Sequence, residues 1–199
     1  MVSFTVAPQR VFEFVDRMAF YEWLARHHDD ETEVWIKVHK VRSGRRSISP
    51  TQAIDVALCW GWIDAIRKGF DDQSFLQRYT RRGRKSTWSQ INVDNVARLI
   101  EEGLMTEHGL VEVDAAKADG RWARAYKSGK DMKIPADLQA AIDAVPQAKR
   151  MLATLSEKNR FAMAFRVHKL KTPAARERRI AAFVAMLRGG ETLYPQPRK

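Results

Sequence analysis

Apolar residues recur along this chain with two periods, close to 3.6 and to 2 residues, and the switches between them outline the elements. Phe20, Trp23, Leu24 and His27 fall at helical spacing behind Asp16, a residue type that caps free backbone N–H groups, so a helix is expected over 16–27. Asp29, Asp30 and Glu31 interrupt it. From Glu33 to Lys40 the period drops to two: Val34, Ile36 and Val38 point one way, Trp35, Lys37 and His39 the other, as in a half-buried strand. Arg42 to Arg46 is a basic loop around Gly44. Ser49-Pro50-Thr51-Gln52 is a helix start, in which Ser49 caps, Pro50 stands where its missing N–H costs nothing and Gln52 closes a capping box. This helix turns Ala53, Ile54, Ala57 and Leu58 inward and stops at Gly61. Residues 62–68 and 74–80 alternate again around the turn residues 69–72, the pattern of a hairpin.

Helical spacing then dominates. Asn92 is expected to cap a helix that buries Val93, Val96, Ala97 and Ile100 and closes at Gly103, and Thr106 to cap another that ends near Gly120. Trp122 and Tyr126 follow, and the polar stretch 127–135, with Gly129 and Pro135, is the best linker. Helices are expected over 135–145, over 146–171 with a break near Ser156, and over 173–188, where Ile180, Phe183, Val184 and Leu187 form the apolar stripe. Tyr194 to Lys199 reads as a frayed tail. The pattern predicts an α+β fold: a small three-stranded antiparallel sheet packed with helices on one face over residues 1–130, followed by a basic C-terminal helical subdomain over 131–199.

Composition narrows this further. At 199 residues and 45% hydrophobic content the chain can bury one sizeable core with a smaller annex. Cys59 is the single cysteine, so no intrachain disulfide forms, which fits a reducing compartment. Residues 1–10 lack the pattern of a secretory leader, and no apolar run approaches the roughly 20 residues of a membrane span. A cytoplasmic location without membrane insertion is expected. The net charge of +11 is unevenly spread, since residues 149–199 hold 13 Lys/Arg against 3 Asp/Glu. Such a field favours anionic partners, although a solvated basic surface would look the same. If Arg166, Lys169, Lys171, Arg176, Arg178 and Arg179 share one face, they could follow a phosphate backbone without reading sequence.

The richest chemistry lies between Trp62 and Asn92. Asp64 stands in an otherwise apolar strand and is costly there unless paired; Arg78 on the partner strand is the obvious mate, with Gln77 or Tyr79 facing it in another register. Arg78, Arg81, Arg82, Arg84 and Lys85 surround Gly83 and run into Ser86, Thr87, Trp88 and Ser89 ahead of a helix. Guanidinium groups, hydroxyls and backbone N–H groups suit an anion, and the glycine spacing is not that of a P-loop. The candidate ligand-binding residues are therefore Trp62, Asp64, Arg78, Arg82, Ser86, Trp88, Ser89 and Asn92. The bland alternatives are a buried ion pair for Asp64, core packing for Trp60, Trp62 and Trp88, and capping for Asn92. No base adjoins Ser86 or Ser89, and no histidine lies in the hairpin, so no catalytic residue is assigned. Cys59 reads as a small apolar filler. His27 and His28 are adjacent, His39, His108 and His168 are scattered, and His168 falls at the spacing of a half-buried structural residue; neither a metal site nor a cofactor is expected.

Several stretches together resemble one family. They are Ala57-Leu58-Cys59-Trp60-Gly61-Trp62-Ile63-Asp64, Gln77-Arg78-Tyr79-Thr80, Ser86-Thr87-Trp88-Ser89-Gln90-Ile91-Asn92, Glu102-Gly103-Leu104-Met105, Ala116-Lys117-Ala118-Asp119-Gly120-Arg121-Trp122 and Arg176-Glu177-Arg178-Arg179-Ile180. Over residues 12–188 the chain resembles the YdeI/OmpD-associated, or bacteriocin-protection, proteins of bacteria. The resemblance implies a part in resistance to bacteriocins or antimicrobial peptides and no established reaction. The family's Pro-Arg after the Arg-aromatic-Thr triplet is replaced here by Arg81-Arg82, which removes a stiff bend and adds a charge. Three readings stand: a non-enzymatic stress or bacteriocin-tolerance protein that binds an anionic small ligand or a protein partner; a sequence-nonspecific nucleic-acid binder acting through the C-terminal helices; and an enzyme using Asp64.

Overall fold

The computed structural model describes residue 6, residues 10–127 and residues 131–196 of the chain. It divides into two compact units, residues 1–88 with 92–124, and residues 89–91 with 125–199.

The first unit holds β1 (Val11–Phe12), α1 (Arg17–His27), β2 (Glu33–His39), α2 (Pro50–Cys59), β3 (Trp62–Gly69), β4 (Ser74–Arg81), most of α3 (Gln90–Glu101) and α4 (Glu107–Ala118). The fold is α+β, but its sheet has four strands in the order β1-β2-β4-β3 and is mixed: β1 runs parallel to β2, and the other pairs are antiparallel. The three-stranded antiparallel expectation lacked β1, because two residues are too few to show a period.

The helix starts follow the expected chemistry. Asp16 accepts from the Ala19 N–H at 3.1 Å, and the Ser49–Gln52 capping box is complete. α1 buries Phe20, Trp23 and Leu24 on the same sheet face as Tyr79 and Trp62; the Phe20 ring lies 5.6 Å from Tyr79, and Trp23 meets Trp62 edge-on at 6.2 Å. Burying each such side chain stabilises the fold by on the order of 2–3 kcal/mol. In α2, Val56 and Cys59 join Ala53, Ala57 and Leu58 inside, while Ile54 is only half-buried. α3 begins two residues before Asn92, so Asn92 is a buried first-turn residue and not the cap. Its inward stripe is Asn92, Val96 and Leu99, and Ile100, expected inside, is 46% exposed. Thr106 caps α4 as its sequence suggests.

α4 docks on the end of α2 at unusually short range. A Cβ placed on Gly109 would lie 2.3 Å from the Cys59 carbonyl oxygen, so only glycine fits. Thr106 donates to that same carbonyl from Oγ1 at 2.6 Å and from its backbone N at 3.2 Å. Gly61 ends α2 with φ +70°, and its missing side chain leaves room for the His108 carbonyl.

The second unit holds α5 (Ala136–Asp143), α6 (Pro146–Thr154), α7 (Glu157–His168) and α8 (Pro173–Arg188). Leu138, Ile142, Ala148, Leu152, Leu155, Met163, Val167, Phe183 and Leu187 form its core. The break expected near Ser156 separates α6 from α7, and Ser156 caps α7. The tail was expected to fray, but its described part is pinned. Asn159, 1% exposed, accepts from the Tyr194 N–H and donates to the Tyr194 carbonyl and to Gln196. Residues 197–199 of that tail, and 128–130 of the expected linker, lie outside the described residues.

Candidate functional site

The strand register separates the two residues expected to pair. Asp64 sits opposite Tyr79, and Arg78 sits opposite Trp35, so the two side chains leave the sheet on opposite faces. A bulge follows Asp64, where Ala65 and Ile66 together face Arg78. Arg78 instead bonds Glu33 through both Nε, at 2.7 Å, and Nη2, and Arg10 reaches the other Glu33 oxygen at 2.9 Å. Burial pushes the Glu33 carboxyl up, but the bonds from Arg78 and Arg10 outweigh it, and its pKa ends below the ordinary value.

Asp64 is half-buried on the helix-covered face, with Arg82 and Arg67 as the charges that act on it. Desolvation dominates and raises its pKa above the usual 3.8. Arg82 is 5% exposed, donates from Nη1 to the Thr87 carbonyl at 3.3 Å and lies 3.6 Å over the Trp88 ring. Trp88 is buried and meets Trp122 edge-on at 4.8 Å. Ser86 accepts from the Gly83 N–H through its hydroxyl and from Arg121 through its carbonyl. Arg121 is itself buried and bonded to Asp119. Trp62, 1% exposed, is core. Ser89 belongs to the second unit, where it bridges to Tyr126. The candidate set therefore does not converge as one group. Buried Arg82 joins Trp88 by its stack and half-buried Asp64 by its charge, while Arg78, Trp62 and Ser89 lie elsewhere.

The raised pKa has a consequence for stability. An acid whose folded pKa lies above its unfolded value leaves folding unpenalised below about pH 3.8 and costs stability as pH rises through the folded pKa. Asp64→Asn is therefore expected to unfold at a higher temperature than wild type at pH 7 to 8, with the gap closing below about pH 4. Thermal melts across that pH range check this; a variant less stable than wild type at pH 8 would mean that the Arg82 and Arg67 charges outweigh desolvation.

The basic residues of the second unit do not form one face either. Arg176 is tied bidentately to Asp137, with one arm at 2.9 Å, and donates to the Val167 carbonyl at 3.1 Å. At about 100° per residue Arg178 points some 200° around α8 from Arg176. Arg166 faces the Tyr194 ring at 5.8 Å, Lys169 lies 5.2 Å from the Phe165 ring and Arg179 lies 5.8 Å from the Phe183 ring; Lys171 is exposed. His168 is exposed and not half-buried as expected.

The arrangement with the shape of a binding site lies elsewhere in the first unit. A cavity of about 310 Å³ opens between α1, α2, α3 and the loop into α4. Its floor is Val56, Cys59 and Leu99, all buried, and Tyr21, Met18, Leu104 and Met105 line its walls. Arg98 crosses one side, bonded to Asp55 at 2.7 Å and to Glu102 at 3.1 Å, which raises its pKa further. Arg17 stands at the mouth, exposed and with no acidic partner among the described residues. Cys59 is buried and its thiol is pushed up to about 11, chiefly by desolvation, so it is a wall and not a nucleophile at neutral pH. The size is at the low end for small-ligand sites. Sequence reasoning missed it because its residues come from three separated segments, 17–21, 52–59 and 98–106. The one visible signal was Glu102-Gly103-Leu104-Met105, which forms part of its rim.

Residues 12–112, just over half of the chain, match the family described as Domain of unknown function (DUF8412). Residues 131–190 match the family described as Bacteriocin-protection, YdeI or OmpD-Associated. No curated protein and no solved structure matches the chain. The likeness expected over residues 12–188 thus holds for the C-terminal part, while the motifs from Ala57 to Met105 fall within the span of the other family. Among the described residues, no helix is long and apolar enough to cross a membrane.

Proposed function

The chain belongs to the family of the Domain of unknown function (DUF8412) and carries a C-terminal segment of the Bacteriocin-protection, YdeI or OmpD-Associated type, and on that premise we propose a bacteriocin-tolerance protein of the cytosol that works by binding and not by catalysis. Its ligand is a small amphipathic molecule with one acidic group, held in the cavity over Cys59. The observation that carries this reading is the pairing of an apolar floor, Val56, Cys59 and Leu99, with an exposed guanidinium in the lining, Arg17, which makes no ion pair with a described acid. Arg98 is different: two carboxylates already hold it, and it braces α2 against α3.

Arg82, stacked on Trp88, is a packing contact of the first unit outside the cavity lining. A guanidinium over an indole face is worth up to about 2 kcal/mol where water is excluded, which offsets part of the cost of burying Arg82.

Two naphthalene dyes test the reading, the anionic 8-anilinonaphthalene-1-sulfonate and its uncharged counterpart N-phenyl-1-naphthylamine. Both should bind. Arg17→Ala should weaken the sulfonate about 10-fold, as expected for loss of a charge-assisted hydrogen bond, and leave the uncharged dye unchanged. Equal binding of both dyes in both proteins would remove the acidic group from the proposal. No binding of either would remove the cavity. In bacteria that depend on this protein to survive a bacteriocin, the same variant should restore survival less well than wild type.

A further inference from the structure

The geometry points to a second site, a divalent transition-metal site formed by His28, Asp29 and His108, with Zn²⁺ as its best-fitting ion. It is separate from the cavity and does not rest on what the cavity binds.

Two of the residues are neighbours in sequence, and the third joins them only in space. His28 and Asp29 follow α1 directly, and His108 lies in the first turn of α4. The Gly109–Cys59 contact and the left-handed turn at Gly61 lock α4 onto the end of α2. That docking sets the His108 ring 4.0 Å from the His28 ring, centre to centre. Trp60 closes one side, 4.7 Å from His28 and stacked on His108 at 5.5 Å. One ligand atom from each of His28, Asp29 and His108 lies within 4.8 Å of the others.

His28 is prepared as a ligand. Its Nδ1 lies 3.0 Å from the Leu24 carbonyl oxygen, which can only accept, so Nδ1 carries a proton and in the neutral ring Nε2 presents a lone pair. This is the outer contact that metal-bound histidines commonly make. Nε2 is buried and makes no hydrogen bond to any protein atom. Its neighbour is the Asp29 carboxylate, with Oδ2 at 3.3 Å. A lone pair facing a carboxylate oxygen is unfavourable unless a proton or a cation lies between them. In a tetrahedral zinc site, ligand distances of about 2.0–2.2 Å place neighbouring ligand atoms about 3.3 Å apart. The observed separation matches that edge.

Two imidazoles and one carboxylate select for a borderline ion and against Ca²⁺ or Mg²⁺, which prefer all-oxygen shells. Asp29 and His108 are exposed, so the ion has a path in, and a fourth position is left to solvent.

The test is titration of the dialysed full-length protein with ZnCl₂ by calorimetry, and with CoCl₂ by visible absorption. One equivalent of Zn²⁺ should bind. Co²⁺ should give the intense visible bands of a tetrahedral nitrogen–oxygen site. His108→Ala and Asp29→Asn alter exposed side chains and should each weaken binding at least 10-fold while the apo protein keeps its folded circular dichroism spectrum. Calcium should not compete. No one-to-one binding by wild type, or full affinity in both variants, would overturn the proposal, as would octahedral Co²⁺ spectra unchanged by His108→Ala.

Discussion

Gly109→Ala is expected to lower the unfolding temperature of the protein by about 10 °C. The added methyl group would sit 2.3 Å from the Cys59 carbonyl oxygen and 2.8 Å from that of Leu58, and both obstacles are backbone. No rotamer relieves such a contact, so α4 must lift off α2. That movement breaks the two bonds from Thr106 to Cys59 and pulls the His108 ring from its neighbours. Alanine returns about 1 kcal/mol of helix propensity, against a steric cost of about 3 kcal/mol or more and the lost bonds. A net loss of about 3 kcal/mol in a chain of this length corresponds to a fall of roughly 6–12 °C. Gly103→Ala is the matched control. Its Cβ would meet nothing within 4 Å, and only the left-handed backbone, at φ +67°, opposes it. That costs about 1 kcal/mol and a fall of a few degrees. Thermal melts followed by circular dichroism distinguish the two. Equal shifts would mean that the α2–α4 approach carries no particular weight.

Local chemistry made much of this fold legible in the sequence. Asp16, Ser49 and Thr106 cap the helices that their positions suggested, because capping is an interaction across three residues. The hairpin of β3 and β4 followed from alternation and from the turn at 69–72. Features set by distant partners were not legible. β1 exists only through its pairing with β2. The bulge after Asp64 sets which face each β3 residue takes, and together with the bonds from Arg78 to Glu33 it made Arg78 a poor guess for the partner of Asp64. The phase of α3 was read one residue too far, because Asn92 looked like a cap and Ile100 like core. The His28–His108 contact was invisible because adjacent histidines at 27 and 28 suggested mutual exclusion, and the second imidazole came from another helix.

The cavity was hidden for the same reason. Arg17, Tyr21, Cys59, Leu99 and Leu104 carry no shared pattern until α1, α2 and α3 are packed. Filling it is the second large effect. Leu104 lines the cavity and is 36% exposed, so a larger side chain there can occupy the ligand space without entering the core. Leu104→Trp is therefore expected to reduce binding of 8-anilinonaphthalene-1-sulfonate at least 30-fold, about 2 kcal/mol, while the melting temperature changes little. Ile100 is a close neighbour in sequence, 46% exposed and outside the cavity lining, which makes Ile100→Trp the control for an added indole on the surface.

Fluorescence titration of the sulfonate dye into wild type, Leu104→Trp and Ile100→Trp compares them side by side. Loss of binding in Leu104→Trp with wild-type affinity in Ile100→Trp places the ligand over Cys59. Undiminished binding in Leu104→Trp would show that the hollow is not where an acidic amphiphile is held.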